Sequence, residues 1–456
     1  MNQVKEHLKM SEKIGYAMGD LACNLVFQTI SIFLLIYYTD IFGISPAAAS
    51  TLFLVARLWD AINDPIMGGI VDRTNTKWGK FRPYLLWGAI PFGILAVLCF
   101  TTPDFSYTGK LVYAYITYIG LGMAYTFINV PYGALTSSMT QDSSDRASLS
   151  SIRMFFAMTG GLIVAVGIPS LTKSLGDGNP AKGYQLTMII FAVISVVLLM
   201  ITFFTTKERH TSINENKVSK INLKTIVKIF KANHPLQIIC LAFVILFGNN
   251  AITGSVGVYF FKYNLMREDL ISLNLVLSMV VTLISLLFTP LLLKKMEKKN
   301  IFILGMAITL IRPIVSFTTS VPLILIGSVI GSIGAGFATG VVWGLVPDTI
   351  EYGEYKTGIR AEGTIYAIVG FFFKFGMALG GMIPGFVLQM TGYIENTVQT
   401  TTALIGIQSL VSIVPLLLII VLIIVLNFYK LDNKTYSKIL IELKNRQNNR
   451  KDVNNV

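Results

Sequence analysis

Apolar residues in this chain fall in long unbroken runs, not at the spacing of a half-buried helix or strand. QTISIFLLIYY (28–38) and SIVPLLLIIVLIIVLNFY (412–429) contain no charged side chain. Such runs exceed the needs of a soluble core helix and fit a bilayer crossing of roughly 20 apolar residues. The alternation of apolar and polar segments predicts twelve spans, at 15–40, 46–72, 83–101, 111–136, 146–170, 184–206, 236–262, 269–293, 300–318, 321–347, 362–390 and 402–429. The longest internal polar segment, TTKERHTSINENKVSKINLKTIVKIFKANHP (205–235), follows the sixth span and divides the chain into two six-span halves. The expected architecture is an all-α membrane protein with two pseudo-symmetric six-helix bundles, 1–206 and 236–429. A central loop (207–235) joins them and a short basic tail (430–456) follows, with no soluble domain appended.

Charge placement orients these spans. Of the 37 lysines and arginines, 28 lie in the termini and in the loops on the termini's side, and five lie in the opposite loops. The other four, Arg57, Arg153, Arg312 and Lys374, sit within spans. An even span count puts both termini on one side, and the positive-inside rule makes that side the cytoplasm. The net charge of +13 therefore reflects topology and attraction to anionic lipid headgroups, not nucleic acid binding. Composition agrees: 53% of residues are hydrophobic and 13% charged, against about 25% charged in soluble chains.

Other chemistry is sparse. The polar start, MNQVKEHLKMSEK, lacks the apolar core of a cleavable signal peptide. Cys23, Cys99 and Cys240 fall in apolar segments without metal or disulfide spacing. His7, His210 and His234 are scattered through polar segments, so neither a His metal site nor a triad is expected. With no nucleophile–base pair and no nucleotide loop, the expectation is a transporter without a cofactor, and not an enzyme.

RLWDAINDPIMG (57–68) is the exception to the apolar pattern, placing Asp60 near the middle of span two and Asp64 one turn nearer the cytoplasm. Residues three and four apart share a helix face, so Asp60, Asn63 and Asp64 present oxygens in one direction, with Arg57 beside Asp60. Two carboxylates about 6 Å apart repel by roughly 3 kcal/mol at an effective dielectric of 20. Arg57 offsets one of them, and a single Na⁺, Li⁺ or H⁺ would neutralise the other. Hard cations take oxygen ligands, which this group supplies. The alternative is an Arg57–Asp60 pair that pins the helix while Asp64 faces a cytoplasmic vestibule. Intramembrane acids are costly and usually functional, which favours a cation-coupling site.

Further polar positions fall within spans. Asp20 and Asn24 are one turn apart in span one, and Tyr125, Thr126 and Asn129 cluster in span four. Arg153 opens span five, and Lys374 lies about ten residues into span eleven. Lipid snorkelling for Arg153 and a structural salt bridge for Lys374 are the plainer readings. Together these donors and acceptors would suit a cavity for a hydroxyl-rich solute. Glycines four residues apart (Gly327 and Gly331; Gly336, Gly340 and Gly344; Gly376 and Gly380) permit close helix packing. GALTSSMTQDSSDR (133–146) after span four and GLVPDTIEYGEYKTGIR (344–360) after span ten form a weak internal repeat, a common transporter plan.

GGIVDRTNTKWGKFRP (68–83) looks like the loop after the second helix of major facilitator transporters. Combined with RLWDAINDPIMG, YYTD (37–40), NVPYGAL (129–135), SSIRMFFA (150–157) and DTIEYGEYKTGIRAEG (348–363), the chain resembles the glycoside–pentoside–hexuronide:cation symporters, the melibiose permease family, over nearly its whole length. The resemblance implies a coupling-cation site at Asp60, Asn63, Asp64 and Thr126. It also implies a sugar site drawing on Asn24, Tyr125, Asn129, Arg153 and Lys374, with Asp20 adjoining. The melibiose transporter has acids where Asn24 and Asn129 stand here, a tryptophan where Gly133 stands, and its other sugar-site tryptophan where Thr339 stands. Galactoside specificity therefore does not carry over, and the choice between Na⁺ and H⁺ stays open.

The expected activity is cation-coupled sugar symport by alternating access, in a bacterial cell membrane and as a monomer. Asp72–Arg73 and the Asp142/Arg146 and Asp348/Arg360 groups are expected to form cytoplasmic charge latches that hold the outward-facing state. Uncoupled facilitation and a non-transporting sugar sensor are the alternatives. The sequence leaves β-glycoside, pentoside and hexuronide open as cargo.

Overall fold

The computed structural model describes residues 8–140, 143–209, 223–359 and 361–454. It is helical throughout the regions where spans are expected. The first six helices are α1 (Met10–Tyr37), α2 (Pro46–Asp72), α3 (Arg82–Cys99), α4 (Tyr107–Met139), α5 (Ser143–Gly176) and α6 (Pro180–Thr205). A short α7 (Leu223–Ala232) leads into α8 (His234–Tyr259) and α9 (Leu270–Leu293). Then come α10 (Lys298–Thr309), α11 (Ile311–Val315), α12 (Val321–Val342), α13 (Leu345–Thr357), α14 (Glu362–Met390), α15 (Thr401–Val411), α16 (Ile413–Asn427) and α17 (Asn433–Asn454). Both α1 and α8 end in a π-helical turn, Tyr38–Phe42 and Phe260–Asn264.

Among the described residues, 10 helices are long and apolar enough to cross a membrane. They coincide with ten of the twelve expected spans, and the other two differ for visible reasons. Span two is one continuous helix, α2, whose middle carries Arg57, Asp60 and Asp64. Span nine is divided into α10 and α11.

Proline explains that division and two others. Its ring clashes with the carbonyl four residues earlier and it lacks the N–H that would bond there. The α10–α11 break follows Thr309, four residues before Pro313. The α12–α13 break falls at Trp343, four before Pro347. The α15–α16 break follows Val411, four before Pro415.

The chain forms two compact units. One comprises residues 1–216, 254–276 and 381–407. Within it α1 packs on α5 and α6, and α2 on α4. Tyr16, Tyr37 and Tyr38 of α1 and its π turn are fully buried. The other comprises residues 217–253, 277–380 and 408–456. Its core gathers Ile239, Phe243, Phe302, Leu345 and Leu422, all at most 1% exposed. Here α8 and α14 touch backbone to backbone: a Cβ on Gly380 would lie 2.2 Å from the Gly248 carbonyl oxygen.

Two helices lie in segments that hydropathy reads as loop and tail. In α7 Ile229 is buried and Phe230 stacks on Phe372 at 5.8 Å. In α17 Ile439 and Leu443 are buried, and the Arg446 guanidinium donates to the Tyr355 carbonyl at 3.0 Å. Both are too short in apolar length for a span and pack within the second unit.

Candidate functional site

The intramembrane acids of α2 meet α4. Thr126 donates its hydroxyl to Asp64 Oδ1 at 3.1 Å, and Arg57 Nη1 donates to Asp60 Oδ2 at 3.4 Å. Asp60, Asn63 and Thr126 are buried. Gly122 makes this approach fit, since a Cβ there would lie 2.9 Å from Asp60 Oδ1. Among the described residues no group accepts from the buried Asn63 Nδ2. A buried N–H without a partner is costly, and an oxygen of a bound solute or water, not a cation, would relieve it. The α2–α4 contact thus brings Thr126 to Asp64, with Asp60 and Asn63 on the preceding turn of α2.

A small recess lies beside Asp60. Phe27, Arg57, Asp60, Phe92, Tyr118 and Tyr125 help to line it. Tyr125 stacks on Phe27 at 5.7 Å, and the Arg57 guanidinium lies 5.8 Å from the Phe27 ring. Aromatic walls with a few fixed polar groups are what a small-molecule site offers.

A second polar cluster ties α1, α4 and α5 together. Arg153 donates to both oxygens of Asp20, at 2.6 and 3.2 Å, and Tyr132 donates to Asp20 Oδ2 at 2.7 Å. The guanidinium lies beside two touching rings, 5.3 Å from Tyr16 and 4.8 Å from Tyr132, whose centroids are 4.6 Å apart. Arginine suits such a place because its planar fork both pairs bidentately and stacks. Arg153 is thus anchored by protein partners and does not reach toward lipid headgroups. Asn24 donates to the Asp20 carbonyl at 2.8 Å, and Asn129 is half-buried on α4. Lys374 is half-buried on α14 in the other unit.

The charged groups of the basic loops pair within each unit. Arg73 caps α2 and is exposed; the side chain of Asp72, together with Asp142 and Arg360, lies outside the described residues. Arg146 donates to the Thr140 carbonyl at 3.0 Å. Its neighbour Asp145 takes the ion pair, with Lys13 at 2.8 Å. Asp348 accepts from Lys298 at 2.7 and 2.8 Å, and Glu12 pairs with Arg209 at 2.8 Å.

Sequence reasoning passed over several residues here. Tyr16 lies one turn before Asp20 on the same face, a legible signal for a partner of that cluster. Tyr132 stands inside NVPYGAL, which was quoted for other reasons. Gly122, Phe92, Tyr118 and Asp145 carry no local signal; only the packing of α2, α3 and α4 and the position of Lys13 select them.

Comparison with known proteins agrees with this architecture. The family model described as MFS/sugar transport protein matches residues 15–433. An uncharacterized symporter of Bacillus subtilis (strain 168), YnaJ, is 50% identical over 96% of each chain. The isoprimeverose transporter of Lactiplantibacillus pentosus is 38% identical over 96% of this chain and 92% of its own. A glucuronide carrier protein homolog of Escherichia coli (strain K12) is 37% identical over 97% of each chain. The chain belongs to the MFS/sugar transport family: it is a multi-pass membrane transporter of the major facilitator fold and one of the glycoside–pentoside–hexuronide:cation symporters that its motifs resemble.

Proposed function

We propose that this protein moves a neutral glycoside into the cell together with a monovalent cation, by alternating access. The observation that carries the reading is the α2–α4 contact: two intramembrane carboxylates, a buried amide and a hydroxyl gathered beside an aromatic recess. Asp60, Asn63, Asp64 and Thr126 bind Na⁺, Li⁺ or H⁺. Arg57 already offsets the Asp60 carboxylate. Cation binding then favours the sugar-binding conformation, and each ligand raises the other's affinity by the same factor.

The sugar binds against Asp20, Asn24, Tyr125, Asn129 and Arg153 of the first unit. A neutral cargo is favoured because the Arg153 charge is committed to Asp20 through two hydrogen bonds. A hexuronide carboxylate would have to displace that partner. The name of the relative that carries isoprimeverose supports this reading, whereas the glucuronide carrier homolog supports the hexuronide alternative. A substrate panel separates them.

The protein acts as a monomer in the cell membrane, with both termini in the cytoplasm, as the distribution of basic loops supports. Asp72–Arg73, Asp142/Arg146 and Asp348/Arg360 act as cytoplasmic latches of the outward-facing state. Unchanged inward/outward accessibility in Asp72→Asn and Arg73→Ala would remove that latch role.

The test is uptake of labelled glycosides and hexuronides into vesicles under separately imposed Na⁺ and H⁺ gradients. One gradient should drive accumulation of a neutral glycoside, and Asp64→Asn should abolish accumulation while protein level is kept. Gradient-independent equilibration in the parent would make the protein a facilitator, and binding without uptake would make it a sensor.

A further inference from the structure

The end of α1 opposite the basic loops carries a second buried acid that the cation and sugar sites do not use. Asp40, in the first π turn, is 8% exposed. Its carboxylate accepts from Lys262 Nζ at 2.6 Å, Tyr393 at 2.5 Å, Thr39 at 2.7 Å, and also from Tyr263. Asn396 Nδ2 donates to the Asp40 carbonyl at 2.6 Å, and Lys262 also donates to Asn396 Oδ1 at 3.1 Å. Burial and the nearby Asp40 charge both raise the Tyr393 phenol well above its ordinary range, so it stays a donor.

These partners come from the far end of the chain. Lys262 and Tyr263 belong to the second π turn, at the end of α8, while Tyr393 and Asn396 follow α14. All lie in the first compact unit, which takes residues 254–276 and 381–407 from the second six-span half. π-helical turns recur at functional sites, and here the two equivalent ones supply the acid and the base.

A second seam lies alongside. A Cβ on Gly385 of α14 would meet Ser50 Oγ at 2.0 Å and the Pro46 carbonyl oxygen at 2.2 Å. The first turn of α2 and the end of α14 therefore close on each other with no room for a methyl group.

We propose that the Asp40–Lys262 pair, with Tyr263, Tyr393 and Asn396, is the extracellular gate of this transporter. Resting on the orientation and transport reading above, it joins the outer ends of spans one, seven and eleven and must come apart before sugar enters from outside. The close Gly385 contact with α2 is part of the same seal. Opening would leave Asp40 and Lys262 to water, so removing either charge shifts the population toward the open form.

The experiment uses the full chain with Cys23, Cys99 and Cys240 replaced, and Ile30→Cys as reporter in the recess. A membrane-impermeant thiol reagent is added outside intact cells, with exposed Val398→Cys as the control for reagent access. The parent should label at least tenfold more slowly than the control. Lys262→Gln and Tyr393→Phe should each speed Ile30→Cys labelling severalfold, Gly385→Val should do the same from the other seam, and Lys262→Arg should stay slow.

Equal labelling of Lys262→Gln and parent, at equal protein level in the membrane, overturns the gate. So does a parent that labels as fast as the control. If Lys262→Gln does not reach the membrane, Tyr393→Phe and Gly385→Val decide by the same criterion. Sugar uptake is scored separately: coupled uptake with unchanged labelling refutes the gate alone, and faster labelling without coupled uptake in the parent refutes the transport reading alone.

Discussion

Thr126 donates a hydrogen bond from its hydroxyl to Asp64, and that one bond offers a way to tell the coupling ions apart. If Na⁺ couples transport, Thr126→Val removes an oxygen ligand. A loss of about 1.4 kcal/mol corresponds to a tenfold rise in the half-saturating Na⁺ concentration. If H⁺ couples transport, the lost donor makes Asp64 easier to protonate, and the half-saturating proton concentration should fall. Cation titration of uptake reads both directions. Asp20 and Arg153 give a second case. Breaking a largely buried pair on one side strands a charge and costs about 3 kcal/mol. Asp20→Asn and Arg153→Gln should each lower thermal stability in detergent by about that much. The double variant should regain most of it without regaining transport. Full recovery of uptake in the double variant would show that the pair is structural. At this scale the second-helix acids were legible because a carboxylate in an apolar run is conspicuous. The partners were less so, since Tyr16 and Tyr132 look like ordinary aromatic filling until Arg153 packs against both.

Helices α2 and α3 are joined by a loop whose shape depends on one distant residue. Glu208, just beyond α6, accepts from the backbone N–H groups of Lys80, Phe81 and Arg82 at 2.8, 2.8 and 2.9 Å. A carboxylate is well placed there, because the N-terminus of a helix offers unpaired donors and a positive dipole end. Gly79 precedes them with φ +107, and a Cβ on it would lie 2.4 Å from the Glu208 carboxylate. Glu208→Gln should cost about 1–2 kcal/mol of stability. Gly79→Ala should cost more, since it adds backbone strain to the clash. Thermal unfolding of the purified protein ranks the two, and the reverse order would remove Glu208 as the anchor. The glycine was legible within the quoted loop motif, but the glutamate was not, because nothing in KERH says which amides it faces. The broken helices follow the same logic. Pro313, Pro347 and Pro415 break their helices, while Pro65 and Pro131 lie inside continuous α2 and α4. Proline placement alone does not say which helix yields.

For the whole molecule, the balance between conformations is what a transporter regulates, and a charge pair far from the sugar site can set it. If the outer gate is loosened by Lys262→Gln, less of the population must reorganise before sugar binds. The half-saturating external sugar concentration should then fall, by no more than the rise in Ile30→Cys labelling, since an apparent affinity scales with the competent fraction. A fall larger than that would mean Lys262 acts on the sugar site directly. The span pattern, the clustering of basic residues on one side of it and the acids of α2 are properties of the sequence by itself. They follow from local rules: lipid demands apolar length, and a buried charge demands a partner. Which partner each charge takes was decided only in three dimensions. Lys262 reads as a loop lysine and Asp40 as the end of a span, 222 residues apart, and they meet because two helix ends close on each other. The same holds for Asp145 with Lys13 and for Asp348 with Lys298. Hydropathy is a property of a segment, whereas pairing is a property of distance, and distance between remote segments exists only once the helices have packed.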